Sequence, residues 1–188
     1  TISGGTTTIA NGGSVTVTAD GEITGGTVDV SGTLNNNGNI EGTTNLTVNQ
    51  NGEIIVGNGA SIDTTGAIEI ATGGKLTINQ GGEATLKEDD IWSGTIVNEN
   101  GTLTLVDRND SGKDYSQTGG ELVLDGTSFE LGGTITGGQV TVSDGSNFDI
   151  LDGASMTGGD VVFVGTGNTV NVDGEVTADA EYEINNNN

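Results

Sequence analysis

The sequence predicts an all-β fold, a parallel β-solenoid of about nine coils with roughly 18–22 residues in each coil. The main observation is a short phrase, Gly-x-apolar-polar-apolar, that recurs from end to end, as in Gly74–Ile78 and Gly101–Leu105. Apolar residues two apart lie on the same face of a strand, so each phrase is a short strand with one face to bury. One such strand cannot bury its apolar face alone, whereas many stacked copies can.

The residues between the phrases are turn residues. Asn-Gly and Asp-Gly pairs such as Asn51-Gly52 and Asp144-Gly145 accept positive φ angles at low cost. The same pairs occur in β-hairpins, so turn chemistry alone leaves an antiparallel sheet open. The strands are too short and the turn signals too frequent for a meander, which favours the solenoid. The inward columns are expected to contain Val15, Val28, Leu46, Ile68, Leu76, Leu103, Leu122, Val140 and Val161.

Length and composition indicate a single domain over residues 1–188, with 35 glycines and neither proline nor cysteine. The 27 acidic residues against 4 basic ones give a net charge of −23. Nucleic acids and anionic membranes are bound by basic surfaces, so neither is an expected partner. The chain has no run of 18 apolar residues, so membrane insertion is not expected.

One segment in the middle of the chain departs from the repeat and holds three of the four basic residues. We predict that it forms two extruded loops, at about 87–95 and 107–118. Loops on a rigid scaffold commonly carry binding residues. Trp92, Tyr115 and Arg108 are therefore the candidate contacts to a ligand or partner. The alternative is that Trp92 fills an irregular coil and the charges solvate the loop.

The second of these loops contains the first half of a calcium-binding pattern, with oxygen ligands at positions 1, 3 and 5 followed by glycine. The twelfth position is Thr118, where a bidentate Glu is needed, and no helical pattern flanks the loop. The alternative is a solvated polar turn. Calcium is the one cofactor that the pattern suggests, with Asp107, Asn109, Ser111 and Asp114 as its candidate ligands.

Catalysis is not expected. The absence of histidine and cysteine removes imidazole bases, thiol nucleophiles and the usual zinc ligands. The acidic cluster at 88–90 is consecutive, and neighbours in a strand point to opposite faces, so it is no evidence of a positioned carboxylate pair. A polysaccharide-binding or lyase β-helix stays as a minor alternative, although nothing pairs Arg108 or Lys113 with a groove.

Two stretches resemble a known family. Ser31–Gly42 resembles the Gly-x-Leu-x-Asn-x-Gly-x-Ile repeats of filamentous-haemagglutinin-type proteins, and Ala71–Leu86 is similar to the passenger repeats of bacterial autotransporter adhesins. The resemblance implies a right-handed parallel β-helix, secreted to a bacterial cell surface with its leader removed, or a piece of a longer polypeptide. It also implies a non-enzymatic adhesin or stalk for adhesion, aggregation or biofilm cohesion, with host or bacterial surface glycans or proteins as partners.

The alternative function is a structural subunit of a self-assembling extracellular filament. The ends of a solenoid expose unpaired strand edges, which repeat proteins normally cover with polar caps. Neither Thr1–Gly4 nor Glu181–Ile184 has the pattern of a capping helix. Open ends can stack head to tail, and a contact that does not close makes a fibre. The partners would then be neighbouring copies of this chain, end to end.

Overall fold

The computed structural model describes residues 1–177 and the strand over residues 181–185. All regular secondary structure in this part of the chain is β, and it contains no helix that could cross a membrane. The strands are β1 (Ile2–Ile9), β2 (Ser14–Val17), β3 (Glu22–Val30), β4 (Thr33–Asn36), β5 (Asn39–Val48), β6 (Glu53–Val56), β7 (Ser61–Thr64), β8 (Ile68–Ile70), β9 (Lys75–Asn79), β10 (Glu83–Leu86), β11 (Ile91–Trp92), β12 (Thr95–Val106), β13 (Asn109–Lys113), β14 (Tyr115–Asp125), β15 (Ser128–Leu131), β16 (Thr134–Ile135), β17 (Gln139–Ser143), β18 (Asn147–Ile150), β19 (Ser155–Met156), β20 (Asp160–Val164), β21 (Thr169–Val172), β22 (Glu175–Val176) and β23 (Glu181–Asn185).

The pairing divides these strands among three faces of a solenoid. Face A holds the first halves of β1, β3 and β5, then β7, β10, the second halves of β12 and β14, β17, β20 and β23. Face B holds the second halves of β1, β3 and β5, then β8, β11, β13, β15, β18 and β21. Face C holds β2, β4, β6, β9, the first halves of β12 and β14, β16, β19 and β22. One circuit through the faces is a coil, and the coils cover 2–17, 22–36, 39–56, 61–79, 83–99, 101–119, 120–135, 139–156 and 160–176.

Every strand pairing in the described chain is parallel and joins one coil to the next. The offset between paired residues runs from 17 residues, for Glu22 opposite Asn39, to 22 residues, for Ile40 opposite Ile62. This confirms the predicted all-β parallel solenoid of about nine coils, with a slightly wider range of coil lengths than expected.

The core consists of apolar columns that run through successive coils. On face A, Leu103 lies opposite Leu122, which lies opposite Val140 and then Val161, and all four side chains are fully buried. Each such side chain contributes roughly 1.5–3 kcal/mol relative to an exposed one. The predicted inward residues are buried, except Val15 in the first coil, which is half-buried.

The corner between faces C and A in coil seven shows why the repeat requires glycine there. Gly120 has a φ of +77°, and a Cβ atom built on it would lie 2.0 Å from the carbonyl oxygen of Gly101 in the coil before. The glycine thus satisfies two demands, a left-handed backbone and close approach of the neighbouring coil.

The prediction of two extruded loops is wrong, because both segments contain strands of the solenoid. Strand β11 runs through the segment 87–95, and β13 runs through 107–118, where β14 already begins at Tyr115. Both segments are therefore part of the regular circuit. The repeat phrase thins out because aromatic and polar residues take the inward positions, and a bulge at residues 111–112 interrupts the alternation before Lys113.

The close contact at Gly120 can be tested against Gly145, which has the same φ of +77° but no atom within 4 Å of an added Cβ. Both Gly→Ala variants are expected to lose about 1–2 kcal/mol through left-handed strain. Gly120→Ala should lose roughly 1–3 kcal/mol more, because its methyl group overlaps the backbone of the coil before. Urea unfolding of the two variants measures the difference, and equal losses would show that the coils separate without cost at this corner.

Candidate functional site

The backbone ladder of face B is interrupted between coils five and six. In the described chain, β11 pairs with β8 in the coil before, and β13 pairs with β15 in the coil after, but no strand pairing joins β11 to β13. Strands β13, β15, β18 and β21 form a separate four-stranded sheet, while the others belong to one 19-stranded sheet. The residues singled out from the sequence all lie at or beside this interruption.

A buried ion pair occupies the inward side of coil six. The side chains of Arg108 and Asp110 are 4% and 3% exposed, and Arg108 Nε lies 2.6 Å from Asp110 Oδ2. A second bond, from Arg108 Nη2 to Asp110 Oδ1 at 3.0 Å, makes the pair bidentate. Lys113 adds a second positive charge, with its Nζ 3.5 Å from Asp110 Oδ1. Two cations around one carboxylate partly compensate the desolvation of all three groups.

The same cations reach across the interruption to the coil before. Arg108 Nη1 donates a hydrogen bond to the backbone carbonyl of Lys87, and Lys113 Nζ donates to the carbonyl of Trp92 at 2.6 Å. These two charge-assisted bonds take the place of backbone bonds that the ladder lacks here. We call Arg108, Asp110 and Lys113, together with the carbonyl groups of residues 87 and 92, the seam.

An aromatic cluster lies directly inside the seam. The Trp92 ring is stacked on Phe129 at 5.9 Å between centroids, and Tyr115 meets it edge-on at 6.2 Å. Phe129 is in turn stacked on Phe148 at 6.1 Å. The Lys113 Nζ atom lies 5.9 Å from the centroid of the Trp92 ring, a cation–π contact. The bulkiest part of the core therefore spans coils five to eight.

The expectation that Trp92, Tyr115 and Arg108 contact an external ligand is corrected by their burial. Their residues are 2%, 0% and 6% exposed, and all three side chains point into the solenoid. The reason is that burying an aromatic side chain removes 150–250 Å² from water, which favours the inward position wherever the strand alternation offers it. The burial of Trp92 agrees with the alternative in which it fills the coil, but Arg108 does not solvate a loop, because its side chain is buried against Asp110.

A second group of buried polar side chains was missed from the sequence. Tyr115 Oη donates to Gln117 Oε1 at 2.6 Å, and Gln117 Nε2 donates to the carbonyl of Gly137 at 2.9 Å. Asn98 Oδ1 accepts from the backbone N–H of Gly101 at 2.8 Å. Burial raises the pKa of Tyr115 far above its usual value, so the phenol stays a donor. These amides satisfy backbone groups where the chain turns from face C to face A.

The candidate calcium ligands are solvent-exposed on the outward side of coil six. Asp107, Asn109, Ser111 and Asp114 are all exposed. Asn109 and Ser111 are alternate residues of β13, so their Cα atoms are about 6.5–7 Å apart. Asp114 Oδ2 accepts from Thr95 Oγ1 at 2.8 Å. Among the described residues no three His, Cys, Asp or Glu side chains group in a way that could hold a metal ion. Calcium binding stays a prediction.

The outward side of the segment 87–95 borders a surface groove. The groove has a volume of about 210 Å³ and lies between residues 64–67 of coil four and 87–90 of coil five. Beneath it Asp90 is buried, and its two carboxylate oxygens accept from the backbone N–H groups of Ile68 at 2.6 Å and Lys87 at 2.7 Å. Asp90 therefore caps the corner, and beside the groove Ile91 is 54% exposed.

Three aspartates follow one another at the corner between faces A and B, in coils six, seven and eight: Asp107, Asp125 and Asp144. Desolvation raises the pKa of Asp125, and a hydrogen bond with Asp144 and the negative charges of Asp144 and Asp107 raise it further. Stacking of equivalent corners thus places like charges one above another.

No protein-family model matches this chain, and no curated protein matches it either. Among solved structures the chain is similar to a hyper-glycosylated TibA55-350 fragment, glycosylated by TibC, with 15% sequence identity and a TM-score of 0.27. The alignment covers 96% of this chain and 99% of that one. At this TM-score the two backbones superpose poorly, so the fold assignment rests on the strand pairing described above.

Loss of a partner should destabilise the fold more at the buried Arg108–Asp110 pair than at an exposed ion pair. Arg108→Met should destabilise the fold by about 3–5 kcal/mol, because it leaves the Asp110 carboxylate buried without its main partner. The matched control is Lys75→Met, since Lys75 pairs with Glu53 at 3.0 Å with side chains 43% and 32% exposed. The control should lose about 0–1 kcal/mol. Urea unfolding at pH 7 measures both, and similar losses would contradict the role of the buried pair.

The raised pKa of Asp125 predicts a pH dependence of stability. Because the folded pKa lies above the unfolded one, the folded state favours the protonated form, and stability from this group increases as pH falls through the folded pKa. Asp125→Asn should therefore raise the thermal midpoint at pH 7, and the gain should shrink towards pH 4. The control is Asp20→Asn at an exposed turn, which changes the net charge equally. A gain in thermal midpoint that is equal for both variants, or independent of pH, would contradict the raised pKa of Asp125.

Proposed function

We propose that this chain is a non-enzymatic segment of an extracellular surface protein, a β-solenoid stalk or adhesin that supports adhesion, aggregation or biofilm cohesion. The observation that carries the proposal is the closed interior. An apolar void of about 10 Å³, lined only by aliphatic side chains of coils three to five, lies in the core. This volume is at the lower limit for one water molecule, and the lining offers no polar partner. The interior suits mechanical support rather than ligand storage.

Regular stacking supports the role of a stalk. At about 4.8 Å per coil, nine coils give a rod of roughly 40–45 Å. Its backbone is hydrogen-bonded from coil to coil on all three faces, apart from the interruption on face B between coils five and six. The corners between the faces are short. A chain of this kind presents few openings to a protease and holds whatever it carries at a fixed distance.

The outer charge supports the display of such a rod in solution. Acidic residues lie on the outward side of all three faces, as Glu22 on face A, Asp29 on face B and Glu53 on face C show. With a net charge of −23, the sides of two rods repel each other. Lateral sheet-to-sheet aggregation is thereby discouraged, and the outer columns stay available to partners.

The filament subunit is the second candidate, and stacking of copies would cover apolar side chains that the first and last described coils leave partly exposed. In coil one Ile2 and Val15 are only half-buried, and in coil nine Phe163 and Val170 are half-buried while Val172 is 46% exposed. A second copy stacked end to end would cover these side chains. Electron microscopy of the purified chain separates the candidates, since the stalk predicts single rods and the filament predicts long unbranched fibres with an axial repeat near the rod length.

The adhesion proposal is tested by display of the chain on a non-adherent bacterial host. Cells that carry the chain should attach to abiotic or glycan-coated surfaces, or aggregate, several-fold more than cells that carry an inert domain. The matched variant is Leu103→Asp, which buries an unpaired charge in a core column and disrupts the rod. Antibody labelling confirms equal display of the two forms. Attachment equal to that of the inert domain would overturn the proposal.

A further inference from the structure

Parallel stacking fixes the spacing of the coils but leaves their alignment open. A shift of one residue turns every inward side chain outward, whereas a shift of two residues keeps the alternation intact. The offset between paired residues varies from 17 to 22 along the described chain, so no single repeat length imposes the alignment. A further constraint is needed most at coil six, where the backbone ladder of face B is interrupted.

We infer that the seam is a register device, which fixes the alignment of coil six on coil five during folding. Its donors belong to coil six, and its acceptors, the carbonyls of Lys87 and Trp92, belong to coil five. The seam stands where backbone bonds between β11 and β13 are lacking, so side chains determine the alignment on this face. The inference is independent of the proposed function.

Buried charges suit this task because they tolerate misalignment poorly. A shift of two residues moves each donor by about 6.5–7 Å, beyond hydrogen-bond distance of its carbonyl. The Arg108–Asp110 pair would move together, but Arg108 would lose the carbonyl of Lys87, and Lys113 would lose that of Trp92. Partly unpaired cations in an apolar interior are strongly unfavourable, whereas aliphatic side chains at these positions would pack in either alignment.

The aromatic cluster makes the alignment more specific. Asp110 lies opposite Phe129 of coil seven, and the rings of Trp92 and Phe129 are stacked at 5.9 Å although they belong to coils five and seven. Because a bulge follows Asp110, the next residue in register is Lys113, opposite Leu131. Movement by one inward position would therefore put Arg108 or Lys113 opposite Phe129, and the longer side chain would clash with the rings.

Engineered cysteine pairs read the alignment directly, because the chain has no cysteine of its own. On face A, Thr85 lies opposite Thr104. Adjacent strands are about 4.8 Å apart, within the range of a disulfide, whereas a diagonal pair two residues out lies beyond about 7 Å. The pair Thr85→Cys with Thr104→Cys therefore reports the native alignment. Thr85→Cys combined with Thr102→Cys or Val106→Cys reports a shift of two residues in either direction.

The test compares the native seam with an apolar one, Arg108→Met, Asp110→Leu and Lys113→Met together, in each cysteine background under mild oxidation. With the native seam the native cross-link should exceed the shifted ones at least tenfold. With the apolar seam the chain should fold, as circular dichroism shows, but the shifted cross-links should rise at least fivefold. An apolar seam that yields the native cross-link alone, as the parent does, overturns the inference.

A milder variant keeps the test decisive if the triple variant does not fold. Lys113→Met removes the bond to the Trp92 carbonyl and leaves the Arg108–Asp110 pair in place, and Lys113 is 22% exposed in its side chain. It should raise the shifted cross-links about twofold or more. The matched control is Lys75→Met, which removes the same charge on face C and should leave the cross-link pattern unchanged. If Lys113→Met also leaves the pattern unchanged, the seam does not set the alignment.

Discussion

The parallel backbone ladder is the constraint on which the rest of this molecule depends. It places equivalent residues of successive coils about 4.8 Å apart, so whatever stands at an inward position must match what stands above and below it. The column from Leu103 to Val161 meets this demand with aliphatic side chains alone. Gly120 meets it at a corner, where the close approach of the Gly101 carbonyl leaves no room for a side chain.

The same constraint explains the chemistry of the irregular coil. Alternation along a strand does not distinguish polar from apolar residues, so Arg108 and Asp110 are carried inward by their positions two residues apart. Once inside, they need partners, and in the described chain every buried side-chain nitrogen and oxygen atom has one. The seam and the amides of Asn98 and Gln117 are therefore two solutions to one problem, the burial of polar groups in a core made of columns.

The fold could be predicted from the sequence because the apolar residues of the repeat phrase alternate with the two-residue period of a β-strand. The candidate site is harder to predict because polar residues continue the same alternation of inward and outward positions in coils five and six. Had the alternation been continued through polar residues, Asn98 would follow Ile96 on the inward side, and Gln117 would follow Tyr115. The partners across coils could not be predicted in this way. The bond from Arg108 to the Lys87 carbonyl depends on an offset that varies from coil to coil.

The location of unusual residues in a solenoid is therefore a poor guide to its binding surface. Trp92, Tyr115 and Arg108 are unusual because the core of coils five to seven is unusual, and they serve packing and alignment. What a partner meets is the outward set, in which carboxylates, hydroxyls and amides recur with the spacing of the ladder. A partner on this surface would meet columns of side chains from several coils rather than one loop. The corner groove beside Lys87 and the exposed side chain of Ile91 interrupt this regular outer surface. They are the outer features of the rod that differ most from the repeat.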